Sequence, residues 1–337
     1  MFRKKTVIIV GAGASRDFGF PLGPELLDLL RKCLVQGRQE FRNKGGLYGQ
    51  IGGKELLLQK YRLLYQHAGE NQNLELGFDV AALDAFQHSI DGQTITSIDR
   101  FLRDHPEHSE IGRFLIALEI VARSYSKVDT NDECFLPDFS TGASTEWIAF
   151  LINELREGAS DASELRENKL TIVNFNYDTT IERALDAQFS KTSRHKGASW
   201  KDCVKMLHVY GQVAPLEKHL RWSNFFSQVQ ESAKTLSYID GRMHHSPDFS
   251  SNLNTCANAL VDAEKVCSIG FAFDEANNAL LGLSQNHIPE KTFALNYDGN
   301  VGLNNRLRNL GVTHIFQPTG GEKVLPIKQA LEYGLIP

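Results

Sequence analysis

The chain has 337 residues, of which 42% are hydrophobic, and it carries a formal net charge of −5 at neutral pH. This length and hydrophobic content are enough to bury a sizeable core in one large domain. An acidic chain without a block of like charge argues against a general nucleic-acid binder, whose surface needs clustered lysine and arginine. The five cysteines form no C-x-x-C pair, which argues against a zinc ribbon or a disulfide framework and favours a reducing, cytoplasmic compartment.

The first predicted element is a short apolar strand that runs into a turn of glycine and alanine. The strand, Thr6–Val10, is too short for a signal peptide or a membrane span, so no membrane contact is expected. Small residues in the turn let the backbone approach a pyrophosphate, and the N–H groups of a following helix favour the anion. The dinucleotide fingerprint requires a third glycine at the position that Arg16 occupies in this chain. The turn is therefore interpreted either as a nucleotide site or as a plain tight turn. The turn residues are Gly11, Ala12, Gly13 and Ser15.

The interval between the first and second predicted strands is far longer than a crossover helix needs. It predicts an inserted helical subdomain over 24–165, whose first helix has Pro24 near its start and Glu25 in its first turn. The stretch 36–53 is rich in glycine and polar residues and is predicted to be a loop. A second, smaller insertion is predicted over 214–258.

Five further short apolar runs predict the remaining strands. Their near-continuous apolarity indicates strands that are covered on both faces, and helical segments lie between most of them. The predicted fold class is α/β, a Rossmann-like doubly wound parallel sheet with a large helical insertion after the first strand, in one domain over 1–337. The five runs are Leu170–Asn174, Lys205–Val209, Lys265–Ile269, Thr292–Leu295 and Val312–Phe316.

Polar and small residues occur at the carboxyl ends of these strands, where ligands bind in open α/β sheets. Asn176 and Asp178 follow the second strand, and His208 lies on the third. Convergence of such residues from distant parts of the chain predicts a ligand site at this edge. Asn174 is predicted to cap its own strand, and Asp274 to cap a helix rather than to contact a ligand.

Six motifs, in this order along the chain, resemble the sirtuin-like NAD-consuming domains of bacterial defence proteins. The motifs are GAGAS, GFPLGPEL, VNFNYDTTIERAL, HVYGQV, SIGFAFDEANNALL and ALNYD. SIDRFL and IGRFLIALEI resemble parts of the helical insertion in the same group, so the resemblance covers most of the chain. It implies a fold that binds NAD across the strand ends and a reaction at the bond between nicotinamide and ribose.

The resemblance implies roles for individual residues. Asn176 would lie beside the ribose and help to position the attacking group, and Asp178 would support the site from the same turn. The residues of GAGAS would cradle the pyrophosphate. The adenosine side of the pocket would involve Gly270, Phe271 and Asn296.

The third strand departs from the family pattern, which has histidine directly before glycine. Here Tyr210 precedes Gly211, and His208 would share a strand face with Tyr210 because alternate residues of a strand point the same way. His208 is therefore predicted as the general base, Tyr210 as a supporting or substrate-contacting hydroxyl, and Gly211 as a cofactor contact. The alternative is a core histidine in a chain that binds NAD without cleaving it.

Other activities are disfavoured. The chain has no four-cysteine zinc module and reads GFPLG where protein-deacylating sirtuins carry an acidic-Phe-Arg sequence. A dehydrogenase needs an acidic ribose ligand on a second strand about 20 residues past the glycine turn, where this chain is predicted to be helical. His244 and His245 have no third ligand at a suitable spacing, so no metal is expected.

The resulting prediction is an NAD glycohydrolase that acts as the toxic effector of an anti-phage, abortive-infection system. Its defence role rests on the resemblance alone. Because unrestricted loss of NAD kills the cell, we expect a homo-oligomer or a separately encoded sensor or regulatory protein to restrain it. The alternative is a catalytically silent module that binds NAD or ADP-ribose as a regulatory ligand. Preference for NAD or NADP, and a cyclic or linear product, stay open.

Overall fold

The structure, a computed structural model, describes residues 1–44, 53–70, 76–91, 97–125, 127–136, 146–189, 199–239, 246–285, 287–296 and 299–317. The strands are β1 (Thr6–Val10), β2 (Lys127–Asp129), β3 (Cys134–Leu136), β4 (Leu170–Asn174), β5 (Val204–His208), β6 (Leu220–Arg221), β7 (Lys265–Ile269), β8 (Thr292–Leu295) and β9 (His314–Phe316). The α-helices are α1 (Gly23–Lys44), α2 (Gly53–Leu58), α3 (Lys60–Glu70), α4 (Val80–Asp91), α5 (Ile98–Asp104), α6 (Ser109–Ser124), α7 (Glu146–Arg156), α8 (Ala162–Leu165), α9 (Thr180–Phe189), α10 (Phe225–Thr235), α11 (Pro247–Asp262), α12 (Glu275–Leu281) and α13 (Val301–Asn309).

The chain divides into two compact units. The first unit comprises Met1–Phe18, Phe139–Val209 and Pro247–Pro337, and the second comprises Gly19–Asp138 and Tyr210–Ser246. This division does not test the predicted boundaries of the two insertions, 24–165 and 214–258, which stay predictions.

The first unit is built on a six-stranded parallel sheet with the order β5-β4-β1-β7-β8-β9. Counted along the chain, these six strands have the spatial order 3-2-1-4-5-6, which is that of dinucleotide-binding Rossmann folds. The predicted α/β class with a Rossmann-like parallel sheet is therefore confirmed. The strand order reverses between β1 and β7, which is where such sheets bind ligands, outside the carboxyl ends of the strands.

β1 lies inside this sheet, between β4 and β7, and all of its residues are buried. Ile8 lies opposite Ile172 of β4 on one side and opposite Cys267 of β7 on the other. On one face of the sheet, Trp147 of α7 and Leu185 of α9 belong to the same core cluster as Ile8. Burial on both faces is what a continuous apolar run predicts for a parallel strand.

Two strand boundaries differ from the predictions. The third predicted strand is shifted by one residue and ends at His208, and the last begins at His314 instead of Val312. After β5 the backbone N–H of Val209 still bonds to the carbonyl of Asn174 at 2.9 Å. Tyr210 therefore lies beyond the strand, and the prediction that it shares a strand face with His208 is wrong.

The second unit consists of α1–α6, α10 and a small antiparallel sheet with the order β2-β3-β6. The prediction of a loop from residue 36 is wrong over 36–44, because α1 continues to Lys44, while 45–52 lie outside the described residues. Gly37 sits inside this helix for a packing reason. A Cβ atom at this position would lie 2.6 Å from the Cβ of Tyr61, so glycine allows α1 and α3 to approach closely.

The core of the second unit contains a buried acid. Glu119 of α6 is only 1% exposed and accepts a hydrogen bond from the Tyr61 hydroxyl at 2.7 Å. It also pairs with Lys60 Nζ at 3.3 Å and with Arg123 Nε at 3.4 Å. Burial, followed by the charge of Glu119, raises the pKa of Tyr61 well above its usual value. The carboxylate is thus compensated by two cations and one hydroxyl, as a buried charge requires.

Candidate functional site

Four of the predicted site residues meet at the carboxyl ends of β1, β4 and β5 in the first unit. The strands are in register there, since Val10 lies opposite Asn174 and Asn174 lies opposite His208. Side chains that follow these positions are therefore placed at one edge of the sheet. The four residues are Ser15, Asn176, Asp178 and His208.

The amide of Asn176 is held in one orientation. Its Nδ2 donates to the Ser15 hydroxyl oxygen at 2.9 Å, and its backbone N–H donates to Asn174 Oδ1 at 3.0 Å, so Asn174 caps its strand as predicted. The Ser15 hydroxyl also interacts with the carboxyl of Asp178 and opposes the rise of its pKa. A hydroxyl that donates its one proton to an ionised Asp178 accepts from Asn176, which orients Nδ2 toward Ser15.

This orientation leaves an acceptor of Asn176 without a partner. The residue is 5% exposed, and its Oδ1 is buried with no hydrogen-bond partner among the described residues. Most buried polar atoms in proteins are paired, so an unpaired acceptor at a strand end of this fold is a candidate ligand contact.

Asp178 is an almost fully buried carboxyl at the start of α9. The backbone N–H of Thr180 donates to its Oδ1 at 3.0 Å. Burial raises the pKa of Asp178, and the nearby Glu182 carboxylate raises it further, whereas hydrogen bonds from Thr180 and Ser15 oppose the rise. A buried carboxyl in a polar cluster, whose pKa is raised by burial and lowered by hydrogen bonds, is a candidate functional group.

His208 is engaged through both ring nitrogens. Nε2 lies 2.5 Å from Glu182 Oε1, and Nδ1 lies 3.3 Å from the backbone oxygen of Asn176. The side chains of His208 and Glu182 are only 10% and 12% exposed. The histidine is thus neither an exposed group nor an apolar core residue, but a nearly buried side chain that contacts Glu182 and the backbone of Asn176.

Glu182 is the residue of this cluster that the sequence reasoning missed. It lies within the quoted motif VNFNYDTTIERAL, in the first turn of α9. An acidic residue there is ordinarily attributed to the helix dipole. The signal that could have found it was its place one turn after Asp178, on the helix that follows the second core strand.

The glycine turn packs against the loop after β7. The N–H groups of Gly11 and Gly13 donate to the carbonyls of Ile269 and Gly270, both at 3.0 Å. A Cβ on Gly11 would lie 2.6 Å from Gly270 O, and one on Gly13 would lie 2.8 Å from Gly270 Cα. The turn residues Ala12, Gly13 and Ser15 belong to a short 3-10 segment, Ala12–Phe18. The small residues therefore have a packing role, and two amides predicted for a pyrophosphate donate within the protein.

The loop after β7 is tightly constrained. Gly270 adopts a left-handed φ of +63°, and Phe273 has the rarer φ of +51° for a bulky residue. Phe271 packs its ring 4.8 Å from those of Phe175 and Phe273. Phe271 is 3% exposed, so its ring lies within an aromatic cluster at the predicted adenosine side.

The side chain of Asn296 forms its hydrogen bonds within the segment that follows β8. Its Nδ2 donates to Asn300 O and to Asn304 Oδ1, both at 2.8 Å, and its Oδ1 accepts from Asn300 N at 2.9 Å. The residue is completely buried. A ligand contact at Asn296 would have to replace one of these bonds. Tyr297 and Asp298, the end of the ALNYD motif, lie outside the described residues.

Tyr210 and Gly211 belong to the second unit. Tyr210 is 3% exposed. Gly211 has a φ of +85°, and a Cβ there would overlap the carbonyl oxygen of Thr235 at the end of α10. The glycine of HVYGQV is thus required by local backbone geometry, whether or not it contacts a cofactor.

Asp274 caps α12, as predicted. Its carboxylate accepts from the backbone N–H of Asn277 at 3.0 Å and from the Asn277 side-chain amide at 2.6 Å. We expect Asp274→Ala to lower the free energy of unfolding by about 1 kcal/mol, the usual cost of losing an N-cap. Chemical denaturation measures this loss, and Asp274→Asn, which keeps an accepting oxygen, should recover most of it. An unchanged stability in Asp274→Ala would show that the cap is not formed.

The described residues hold no group of three or more histidine, cysteine, aspartate or glutamate side chains arranged to bind a metal ion. His244 and His245 lie outside them. Within the same residues, none of the helices combines the length and apolarity that crossing a membrane requires.

Comparisons with known proteins do not identify a family. No protein-family model matches the chain, and a search of curated proteins finds no similar one. The sirtuin-like resemblance therefore stays a prediction that rests on the motifs.

Proposed function

We propose that this protein binds NAD at the carboxyl edge of its parallel sheet and hydrolyses the bond between nicotinamide and ribose. The observation that carries the proposal is the amide of Asn176, which is oriented by Ser15 and presents a buried, unpartnered oxygen in the cluster with Asp178. This cluster lies in a sheet with dinucleotide-binding strand order. The motif resemblance supplies the identity of the ligand.

Hydrolysis of this bond needs little assistance from a general base. The bond between C1′ and the nicotinamide nitrogen breaks, nicotinamide leaves as a neutral pyridine, and a water oxygen bonds to C1′ with release of one proton. The products are nicotinamide and ADP-ribose. An acceptor such as Asn176 Oδ1 can orient the water, and the carboxyl group of Asp178 can stabilise positive charge that develops on the ribose.

A second candidate is a silent module that binds NAD or ADP-ribose without cleaving it. The contacts of His208 favour this alternative, because both ring nitrogens are already engaged within the protein. The packing of Gly11 and Gly13 against the β7 loop also favours it, since that packing explains the glycines without a phosphate.

Incubation of the purified chain with NAD separates the two candidates. We expect release of nicotinamide in step with ADP-ribose, measured by chromatography, with the chain alone or with the proteins encoded beside its gene. Tight binding by calorimetry without any release would establish the silent module. Neither binding nor release under these conditions would refute both.

The proposed role as an anti-phage effector is a separate step, supported only by the motif resemblance. It requires a homo-oligomer or a separately encoded sensor that restrains the enzyme until infection. Cellular NAD should then fall after phage infection in cells that carry the gene with its neighbours. A constant NAD level during infection would contradict this role without contradicting the enzyme.

A further inference from the structure

Both ring nitrogens of His208 face oxygens that accept hydrogen bonds. Nε2 contacts the carboxylate of Glu182 at 2.5 Å, and Nδ1 contacts the backbone carbonyl of Asn176 at 3.3 Å. A carbonyl and an ionised carboxylate have no proton to donate, so each contact needs an N–H on the ring. A neutral imidazole has one N–H and an imidazolium has two. With an ionised Glu182, both contacts are therefore satisfied together only by the imidazolium.

The contact between Nε2 and Glu182 Oε1 admits two positions of the shared proton. On the ring, this proton gives both nitrogens an N–H to donate. If the proton moved to Glu182, Nε2 would accept it in a hydrogen bond and would still not be open to water. In neither arrangement does the ring offer a nitrogen that can take a proton from an attacking group.

Two neutral amides and two carboxyl groups lie around the ring. On β4 the residue opposite His208 is the neutral Asn174, and on α11 the neutral amide of Asn252 donates to His208 O at 2.9 Å. The acidic groups are Glu182 of α9 and Asp178, whose carboxyl interacts electrostatically with that of Glu182. A carboxylate in direct contact stabilises an imidazolium, and the effect is larger where water is scarce.

We infer that His208 and Glu182 form a positioning pair and that His208 is not the general base. The imidazolium holds the backbone carbonyl of Asn176, and with it the turn that carries the Asn176 amide and Asp178. The kinetic test below rests on the proposed NAD cleavage, whereas the protonation test does not. The two roles predict opposite pH dependence. A positioning imidazolium loses activity as rising pH removes its proton, whereas a general base gains activity over the same range.

The protonation state is tested on the full chain by ¹⁵N nuclear magnetic resonance of its histidine rings. We expect two N–H groups on His208 at pH 7, assigned from the spectrum of His208→Gln or through backbone correlations if that variant does not fold. His287 is a matched reference, since it contacts Glu290 at 3.0 Å but is 83% exposed. A His208 ring with an unprotonated Nδ1 at pH 7 would overturn the inference, and this holds even if the protein cleaves no NAD.

The role in catalysis is tested with Glu182→Gln. The amide oxygen can still accept from Nε2, but the lost charge no longer favours the imidazolium. We expect about a tenfold loss of NAD cleavage at pH 7, the scale of one charge-assisted hydrogen bond, and recovery as the pH is lowered and the ring regains its proton. Glu290→Gln should leave the pH profile unchanged. A loss that is the same at every pH, or wild-type activity that rises as the ring loses its proton, would refute the positioning role.

Discussion

Gly270→Ala is expected to destabilise the first unit by about 2–5 kcal/mol. The backbone φ of +63° at this position costs a residue with a Cβ about 1–2 kcal/mol. The new methyl group would also overlap the backbone nitrogen of Ala14 and lie 2.5 Å from the carbonyl carbon of Gly13. These are backbone atoms, which cannot rotate away as a side chain would, so overpacking adds about 1–3 kcal/mol.

Gly158→Ala is the matched control. Gly158 lies in the same unit and has a similar φ of +76°, but a methyl group on its Cα would have no atom of the described residues within 4 Å beyond its immediate chain neighbours. Gly158→Ala should therefore lower the free energy of unfolding only by the cost of a left-handed φ, about 1–2 kcal/mol. Urea unfolding of the two variants measures the difference. Equal losses would show that the loops after β1 and β7 do not pack as closely as the glycine contacts indicate.

Asn176→Ala is expected to lower kcat for NAD cleavage by about 10²–10³-fold. Loss of one preorganised polar group at a reacting centre has this effect in other enzymes. The variant removes the unpartnered Oδ1 and the bond from Nδ2 to Ser15, while the backbone bond to Asn174 stays. Steady-state kinetics and calorimetry with NAD separate a loss of turnover from a loss of binding.

The exposed amide of Asn309, at the end of α13, provides the control for this variant. Asn309→Ala should leave both turnover and binding unchanged. Turnover that survives in Asn176→Ala would remove this residue from the reaction and with it the main support for the hydrolase. Loss of binding with unchanged turnover at saturating NAD would assign Asn176 to affinity alone.

The strands of the parallel sheet were predictable because their signal is local. In Thr6–Val10 and Leu170–Asn174 the apolar run and the strand have the same ends. β5 is offset by one residue because its ends are set by its pairing with β4, which runs from Leu170 opposite Val204 to Asn174 opposite His208. The loop predicted from residue 36 was also wrong because of a contact with another element. Gly37 lies within a helix, where the absence of a side chain leaves room for Tyr61 of the neighbouring helix.

The sequence by itself determined the α/β class, the order of strands along the chain and the polar residues at their carboxyl ends. The tertiary structure alone decided that the glycine turn lies against Gly270, that Ser15 orients Asn176, and that Glu182 holds His208. Periodicity reports which residues are buried within one element. Contacts between strand ends depend on which strands become neighbours in the sheet, and Ser15 and Asn176 are 161 residues apart in the chain.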